Sequence, residues 1–326
     1  MISILFSLYR RSPFWLRNII ARLTWPIRLM MIPFRIIRIG GHSMVLDFTD
    51  NASFKYYTDR SRYEYIEITL FMNCIIHNPG AYVIDIGANY GAFTLAAADL
   101  GRFNFFKKII AIEPDRRPYK ALSKSIEKNG FSNMIQLYQL IVGDREGKET
   151  LFVNARSSAD NRSHDLKTSL IRIREKYTVP CTSVDKLLTK ISVPLNSKFI
   201  IKMDIQGNEP RAFKGMSNIF AQAEGFIIFF EHCPYLIESA GTNIKDFITF
   251  LKDLHVDMIF QVEEDIVLLN GFEGLLKSFR ELAINEASRE EGAGSNYILC
   301  KNMDFEKLNI LNNEGGQNYI DWEMAT

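Results

Sequence analysis

Paired cysteines are missing from this chain. Cys74, Cys181, Cys233 and Cys300 are scattered through 326 residues with no Cys-x-x-Cys spacing. That pattern offers neither a zinc site nor a disulfide framework, and it predicts reduced, mostly buried thiols. Histidine is equally sparse, and His42, His77, His164 and His255 show no ligand spacing. Long apolar runs are absent as well, since no stretch reaches the roughly 18 charge-free apolar residues that a spanning helix needs. The first residues lack a basic segment ahead of their apolar start and a small-residue cleavage site, which argues against a secretory signal.

Acids and lysines are missing from everything before Asp47, where seven arginines stand alone: Arg10, Arg11, Arg17, Arg22, Arg28, Arg35 and Arg38. The rest of the chain sets 32 basic residues against 38 acidic ones, so a cationic arm is attached to a mildly acidic body. A nucleic-acid binder normally carries its basic surface on the folded domain, and this distribution speaks against one. Phe6, Phe14, Trp15, Ile19, Trp25 and Phe34 alternate with the arginines at roughly helical intervals, broken by Pro13, Pro26 and Pro33. Residues 1–38 therefore read as a helical amphipathic arm. It can lie on a membrane surface, pack on its own domain or a partner subunit, or serve as an Arg-rich transit segment, although it has little serine. The first option gives a cytoplasmic protein held peripherally at the cytoplasmic membrane face.

From about residue 80, apolar strands alternate with amphipathic helices, the pattern of a mostly parallel, doubly wound α/β sheet. Seven strands are expected, at 82–86, 108–113, 134–142, 198–204, 226–231, 256–262 and 296–300. A helix is expected from Pro118 to Asn129, stopped by Gly130. The polar stretch NARSSADNRSHDL and the strand-like TSLIRIREKYTVP break this rhythm and read as an insertion at 154–180 over one end of the sheet. The organisation expected is an arm at 1–40, a strand-and-helix cap at 41–79, a catalytic domain at 80–302 and a loose tail at 303–326.

The stretch VIDIGANYGAFT, residues 83–94, turns from an apolar strand through a glycine loop into a small-residue helix. A dinucleotide fingerprint would place glycines at 87, 89 and 92, and the chain has Gly87, Asn89 and Ala92. The asparagine at the pyrophosphate approach disfavours an NAD-dependent oxidoreductase, and the lack of a Gly-Lys-Ser/Thr ending excludes a P-loop. A ligand without phosphates fits better. S-adenosylmethionine needs helix-terminal N–H groups for its carboxylate and acids for its ammonium and ribose. The loop supplies the first, Asp85 is a partner for the ammonium, and Glu113 ends the next strand where ribose readers stand. Asp144, after the third strand, is placed to accept from the adenine amino group, or only to cap a helix.

VIDIGANYGAFTLAAA, AIEPDRRPYKALSKSIEKNG, TSVDKLL and IIKMDIQGNEPRAFKGM, in this order, resemble the successive blocks of the FkbM-like S-adenosylmethionine-dependent methyltransferases. The resemblance covers roughly residues 80–235 and implies a class I methyltransferase (Rossmann-like) fold. It further implies methylation of hydroxyls on sugars or natural-product scaffolds. It falls on Asp85, Gly87, Ala88, Asn89 and Gly91, then on Glu113 and Pro114, and later on Lys202, Asp204, Gly207 and Glu209. Gln206 departs from it, standing where the family has a glutamate.

An alcohol acceptor must lose a proton, and a positioned base contributes roughly 10²- to 10⁴-fold. The candidates at the ends of the fourth and fifth strands are Asp204, Glu209, Glu231 and His232, the last having the natural pKa for neutral pH. A divalent cation would require Asp204, Glu209 and Glu231 to converge. No other metal-ligand set is visible. The reading is an O-methyltransferase for a sugar, glycan, lipid-linked sugar or related metabolite. Its alternative is an inactive methyltransferase-fold module that binds a partner or membrane, which only Gln206 favours.

Overall fold

Two apolar faces alternate along the central strands, and that alternation builds the molecule. The computed structural model describes residues 34–58, 64–164, 173–263, 265–286 and 294–305. In chain order the strands are β1 (Phe34–Ile39), β2 (His42–Asp47), β3 (Ala81–Ile86), β4 (Phe106–Ile112), β5 (Ile135–Tyr138), β6 (Ile141–Val142) and β7 (Gly147–Asn154). They continue with β8 (Ile173–Thr182), β9 (Lys198–Met203), β10 (Gly225–His232), β11 (Met258–Val262), β12 (Ile266–Leu268) and β13 (Ser295–Lys301).

Among the described residues the main sheet has eight strands in the order β12-β11-β13-β10-β9-β3-β4-β5. The neighbours from β10 through β5 are parallel, while β13 runs antiparallel to β10. One face carries Val83, Ile109, Ile200 and Phe229 against Phe71, Ala96 and Leu122 of the covering helices. The opposite face carries Ile84, Ile110, Ile201 and Phe230 against Leu188, Phe213, Phe247 and Leu275. Period-two alternation with helices on both sides is what makes these strands apolar throughout. The chain passes from β3 to β4 on one side and places β9 on the other. The carboxyl end of β3 is therefore the switch point at which open sheets bind ligands.

Several expectations are refined. The helix after β4 runs Arg116–Asn129, two residues earlier than expected, because Asp115 Oδ1 caps it by accepting from the Arg117 N–H at 2.9 Å. Gly130, at φ 71°, ends it. The stretch expected as one strand at 134–142 divides, so that β5 stays in the main sheet and β6 leaves to pair with β8. With β7 they form a separate three-stranded sheet in the order β6-β8-β7, so the insertion starts before residue 154. β12 adds an edge strand to the seven expected.

The cap is a β1–β2 hairpin followed by helices Asn51–Thr58 and Tyr65–His77. It is fixed to the helix Arg116–Asn129, where the Val45 N–H donates to Ser125 Oγ at 2.9 Å and the Ser43 N–H to Asn129 Oδ1 at 2.8 Å. Residues 34–39, expected within a helical arm, are therefore a strand, and residues 1–33 of that arm lie outside the described residues. The start of the expected loose tail is anchored: Phe305 stacks on Phe260 at 4.3 Å, and the Asp304 N–H donates to Asn78 Oδ1 at 2.8 Å. All four cysteines are buried thiols outside any disulfide. Among the described residues no helix is long and apolar enough to cross a membrane.

Candidate active site

The strand β3 delivers Asp85 and Gly87 to the switch point, and a cleft opens there enclosing roughly 900 Å³ of atom-free space, its solvent-facing mouth included. Its floor is Asp85, Gly87, Ala88 and Asn89, with Ala92 and Phe93 from the first turn of the helix Ala92–Asp99. Glu113 and Pro114 close one end, Lys202, Asp204 and Gln206 the other, and Ser158, Ala159, Asn161, Arg162 and Ser163 lie across it. Gly87 adopts φ +85°, and a Cβ there would meet the Asp204 carbonyl oxygen at 2.0 Å. Only glycine lets the β3 loop and the β9 loop touch in this way. Gly91 is also left-handed, and a Cβ there would meet Leu122 at 2.3 Å.

Asp85 is buried and accepts from Thr94 Oγ1 at 2.5 Å. Burial pushes its carboxyl up to about 6 against the pull of that bond and of Lys202. Glu113 ties the loop together: the Asn89 N–H donates to Oε2 and the Asp115 N–H to Oε1, both at 2.7 Å. Burial, with Asp115 beside it, raises Glu113 to about 8. A carboxylate offers about four acceptor positions, so Glu113 keeps capacity for a ligand hydroxyl on the cleft side.

At the other end, Lys202 Nζ lies 3.5 Å from Asp204 Oδ2 and 5.1 Å from the centre of the Phe93 ring. Burial pulls the Lys202 ammonium down, yet Asp204, Glu64, Glu231 and Asp85 together hold it above its ordinary value. Gln206 donates from Nε2 to Asp204 Oδ1 at 3.0 Å and to Glu231 Oε2 at 3.3 Å. An amide bridges two acids here, where a glutamate would add a third negative charge. Burial, then the charge of Asp204, raises Glu231 to about 7.

Three expected site residues are corrected. His232 ends β10 but points into the core, with its ring 3.5 Å from that of Phe279 and nearly parallel to it, and neither nitrogen has a partner. Burial lowers it to about 3, so it is not the base. Glu209 turns both carboxyl oxygens to its own loop, accepting from the Ile205 N–H at 3.0 Å and the Gly207 N–H at 2.8 Å. It shapes the turn rather than facing an acceptor, and the set Asp204, Glu209 and Glu231 does not converge on a cation. Among the described residues no group of three or more His, Cys, Asp or Glu is arranged to hold a metal ion. Asp144 lies outside the cleft lining and is bound by Arg211, whose Nε and Nη2 donate to Oδ1 at 3.1 and 3.0 Å. Against partial burial, that guanidinium holds the Asp144 carboxyl below its usual range.

The sequence reading missed Thr94, Ser158, Asn161 and Arg162. Thr94 was legible as the one hydroxyl in an otherwise apolar helix, nine positions after Asp85. The others belong to the polar insertion, where Ser158 Oγ donates to Asn89 Oδ1 at 3.0 Å and Asn161 Nδ2 to Asp115 Oδ2 at 2.7 Å. Their place over the loop depends on a tertiary fold-back that no local pattern announces.

A glycine loop opening onto a helix N-terminus, flanked by acids after successive strands at a switch point, defines the cofactor cleft of a class I methyltransferase. The Methyltransferase FkbM domain matches residues 85–257, more than half of the chain, and the chain belongs to that family. The methyltransferase FkbM from Methylobacillus flagellatus KT is 14% identical, with a TM-score of 0.37 over 86% of this chain. This chain spans 59% of that protein's length. TYW2 from M. jannaschii, solved in complex with AdoMet, is 11% identical over 83% of this chain and 86% of its own, with a TM-score of 0.37. The precorrin-6y C5,15-methyltransferase of Geobacter metallireducens GS-15 is 11% identical over 72% of this chain and 85% of its own, with a TM-score of 0.34. No curated protein matches the chain.

Proposed function

We propose that this chain is an S-adenosylmethionine-dependent O-methyltransferase for a hydroxyl of a sugar, glycan, lipid-linked sugar or related metabolite. The observation that carries the reading is the Asp204–Gln206–Glu231 bridge at the edge of a cleft whose other end is fitted to the donor. When bound, S-adenosylmethionine supplies an electrophilic methyl on its sulfonium. Asp85 is suited to its ammonium, the first turn at Ala92 and Phe93 to its carboxylate, and Glu113 to its ribose hydroxyls.

The residues around Asp204 do the rest. Asp204 orients the acceptor hydroxyl, with its own carboxylate steadied by Lys202 and Gln206. Glu231 stands behind Gln206 rather than in the cleft lining, and with its carboxyl raised to about 7 it is matched to receive the hydroxyl proton by way of Asp204 near neutral pH. Alignment accounts for most of the rate, because an in-line displacement at a good leaving group needs positioning above all. For the part of the 1–38 arm that precedes β1 we propose peripheral contact with the cytoplasmic membrane face, which favours a lipid-linked acceptor.

Calorimetric titration with S-adenosylhomocysteine is the first test, and no binding at millimolar ligand would sink the reading. Label from methyl-tritiated S-adenosylmethionine should then appear in the glycan or glycolipid fraction of a cell extract. Label confined to protein or RNA would overturn the acceptor class. For the arm, liposome co-sedimentation of the full chain should exceed that of a chain starting at Phe34, which keeps β1, and equal sedimentation would remove the membrane contact.

A further inference from the structure

Arg162 lines the cleft and is 8% exposed, yet its Nε and Nη1 are buried without any hydrogen-bond partner. No ion pair engages it among the described residues. Its position is not accidental slack. The backbone is clamped on both sides: the Phe152 N–H donates to the Arg162 carbonyl at 2.8 Å, and the Arg162 N–H returns to the Phe152 carbonyl at 3.1 Å. The preceding Asn161 is tied to Asp115 at 2.7 Å and accepts from the Asn154 N–H at 2.8 Å. Arg162 is thus held at the cleft wall by the edge of β7.

An unpaired buried cation is costly, and folded chains normally pair it or leave it in water. The charged and polar groups whose fields reach this one are Asp160, Glu231, Tyr235 and Cys233. Asp160 belongs to the same roof segment, whereas the other three end β10 or follow it. Arg162 therefore feels the end of β10, where Glu231 stands, while its neighbour Asn161 is tied to Asp115. Planar, rigid and carrying free donors, the side chain matches a carboxylate or phosphate in shape and charge.

We propose that Arg162 binds an anionic group, a carboxylate or a phosphate ester, carried by the methyl acceptor. This rests on the methyl-transfer reading of the cleft. It narrows the acceptor to a charged molecule, such as an acidic sugar or a sugar phosphate, and it makes Arg162 a specificity residue.

The test uses the full chain, R162Q and the charge-conserving R162K. S-adenosylhomocysteine is titrated first, and then glucuronate, glucose 1-phosphate and neutral glucose are titrated into each protein with S-adenosylhomocysteine saturating. The expected result is that one anionic sugar binds the unmodified protein, glucose does not, and R162Q weakens that binding by more than about tenfold. R162K should retain a weakened response, and unchanged S-adenosylhomocysteine affinity certifies that both variants are folded. Equal anion binding by R162Q, or no binding of either anionic sugar, overturns the proposal. A loss of S-adenosylhomocysteine affinity of more than about tenfold in folded R162Q also overturns it, because Arg162 would then read the donor carboxylate. If S-adenosylhomocysteine binds no variant while an Arg162-dependent anion response persists without it, the methyl-transfer reading falls and the anion site stands.

Discussion

Thr94 donates its hydroxyl to Asp85 across 2.5 Å, so one oxygen of the carboxyl at the cleft floor is held by the first turn of the helix that follows it. Burial leaves Asp85 at about 6, above the ordinary aspartate value. The ionised form is the one that attracts an ammonium, and it is lost as pH falls through that value. Affinity for S-adenosylhomocysteine should therefore drop about tenfold between pH 7 and pH 5, and D85N should abolish that dependence while binding weakly throughout. A calorimetric pH series that is flat for the unmodified protein would contradict the assignment of Asp85 to the ammonium.

Glu113 holds the backbone of Asn89 and Asp115 and faces the cleft with its remaining lone pairs. Replacing it with alanine leaves the Asn89 and Asp115 N–H groups and the ligand hydroxyls without their partner, at about 1–3 kcal/mol for each buried group, so E113A should weaken S-adenosylhomocysteine more than about tenfold. Asp144 carries the opposite expectation. Because Arg211 already occupies it, D144N should leave that affinity unchanged, and a large loss would restore Asp144 to the adenine site.

The Gln206 amide keeps Asp204 and Glu231 together without a third charge. Introducing one with Q206E should push the Glu231 titration above about 7, since a like charge nearby disfavours ionisation. A carboxyl-detected NMR titration reads this directly. In turnover assays the ascending limb of kcat/KM should shift to higher pH with it, and E231Q should remove the limb.

His232 is a buried neutral ring with both nitrogens unsatisfied. Its folded value of about 3 lies below the unfolded one, so its neutral form is fully accommodated above about 6.5, and stability is lost as pH falls from there towards 3. H232F keeps the stack on Phe279 and should stabilise the protein at pH 5 by about 2 kcal/mol, with a smaller gain at pH 8. Thermal unfolding at the two pH values checks this. S-adenosylhomocysteine binding should not change, and a loss would mean that the ring reaches the cleft after all.

The alternating strands, the glycine loop and the acids at 85, 113 and 204 were legible because each sits in a local pattern with a fixed backbone consequence. His232 and Glu209 were misread for a single reason: position at a strand end says nothing about which way the side chain turns. His232 continues the apolar face of β10, and Glu209 folds back on the two N–H groups of its own turn. Arg162 was invisible because the insertion that carries it reaches the cleft only through contacts with residues far away in sequence.

The two bonds from the roof, Ser158 to Asn89 and Asn161 to Asp115, end on the same loops that Glu113 ties together. Floor and roof are therefore parts of one hydrogen-bonded frame. A ligand that stiffens the Asn89 loop from below also fixes the strand edge presenting Arg162 from above. Donor and acceptor then assist each other through this frame as well as at the methyl, and each should raise the other's affinity by the same factor.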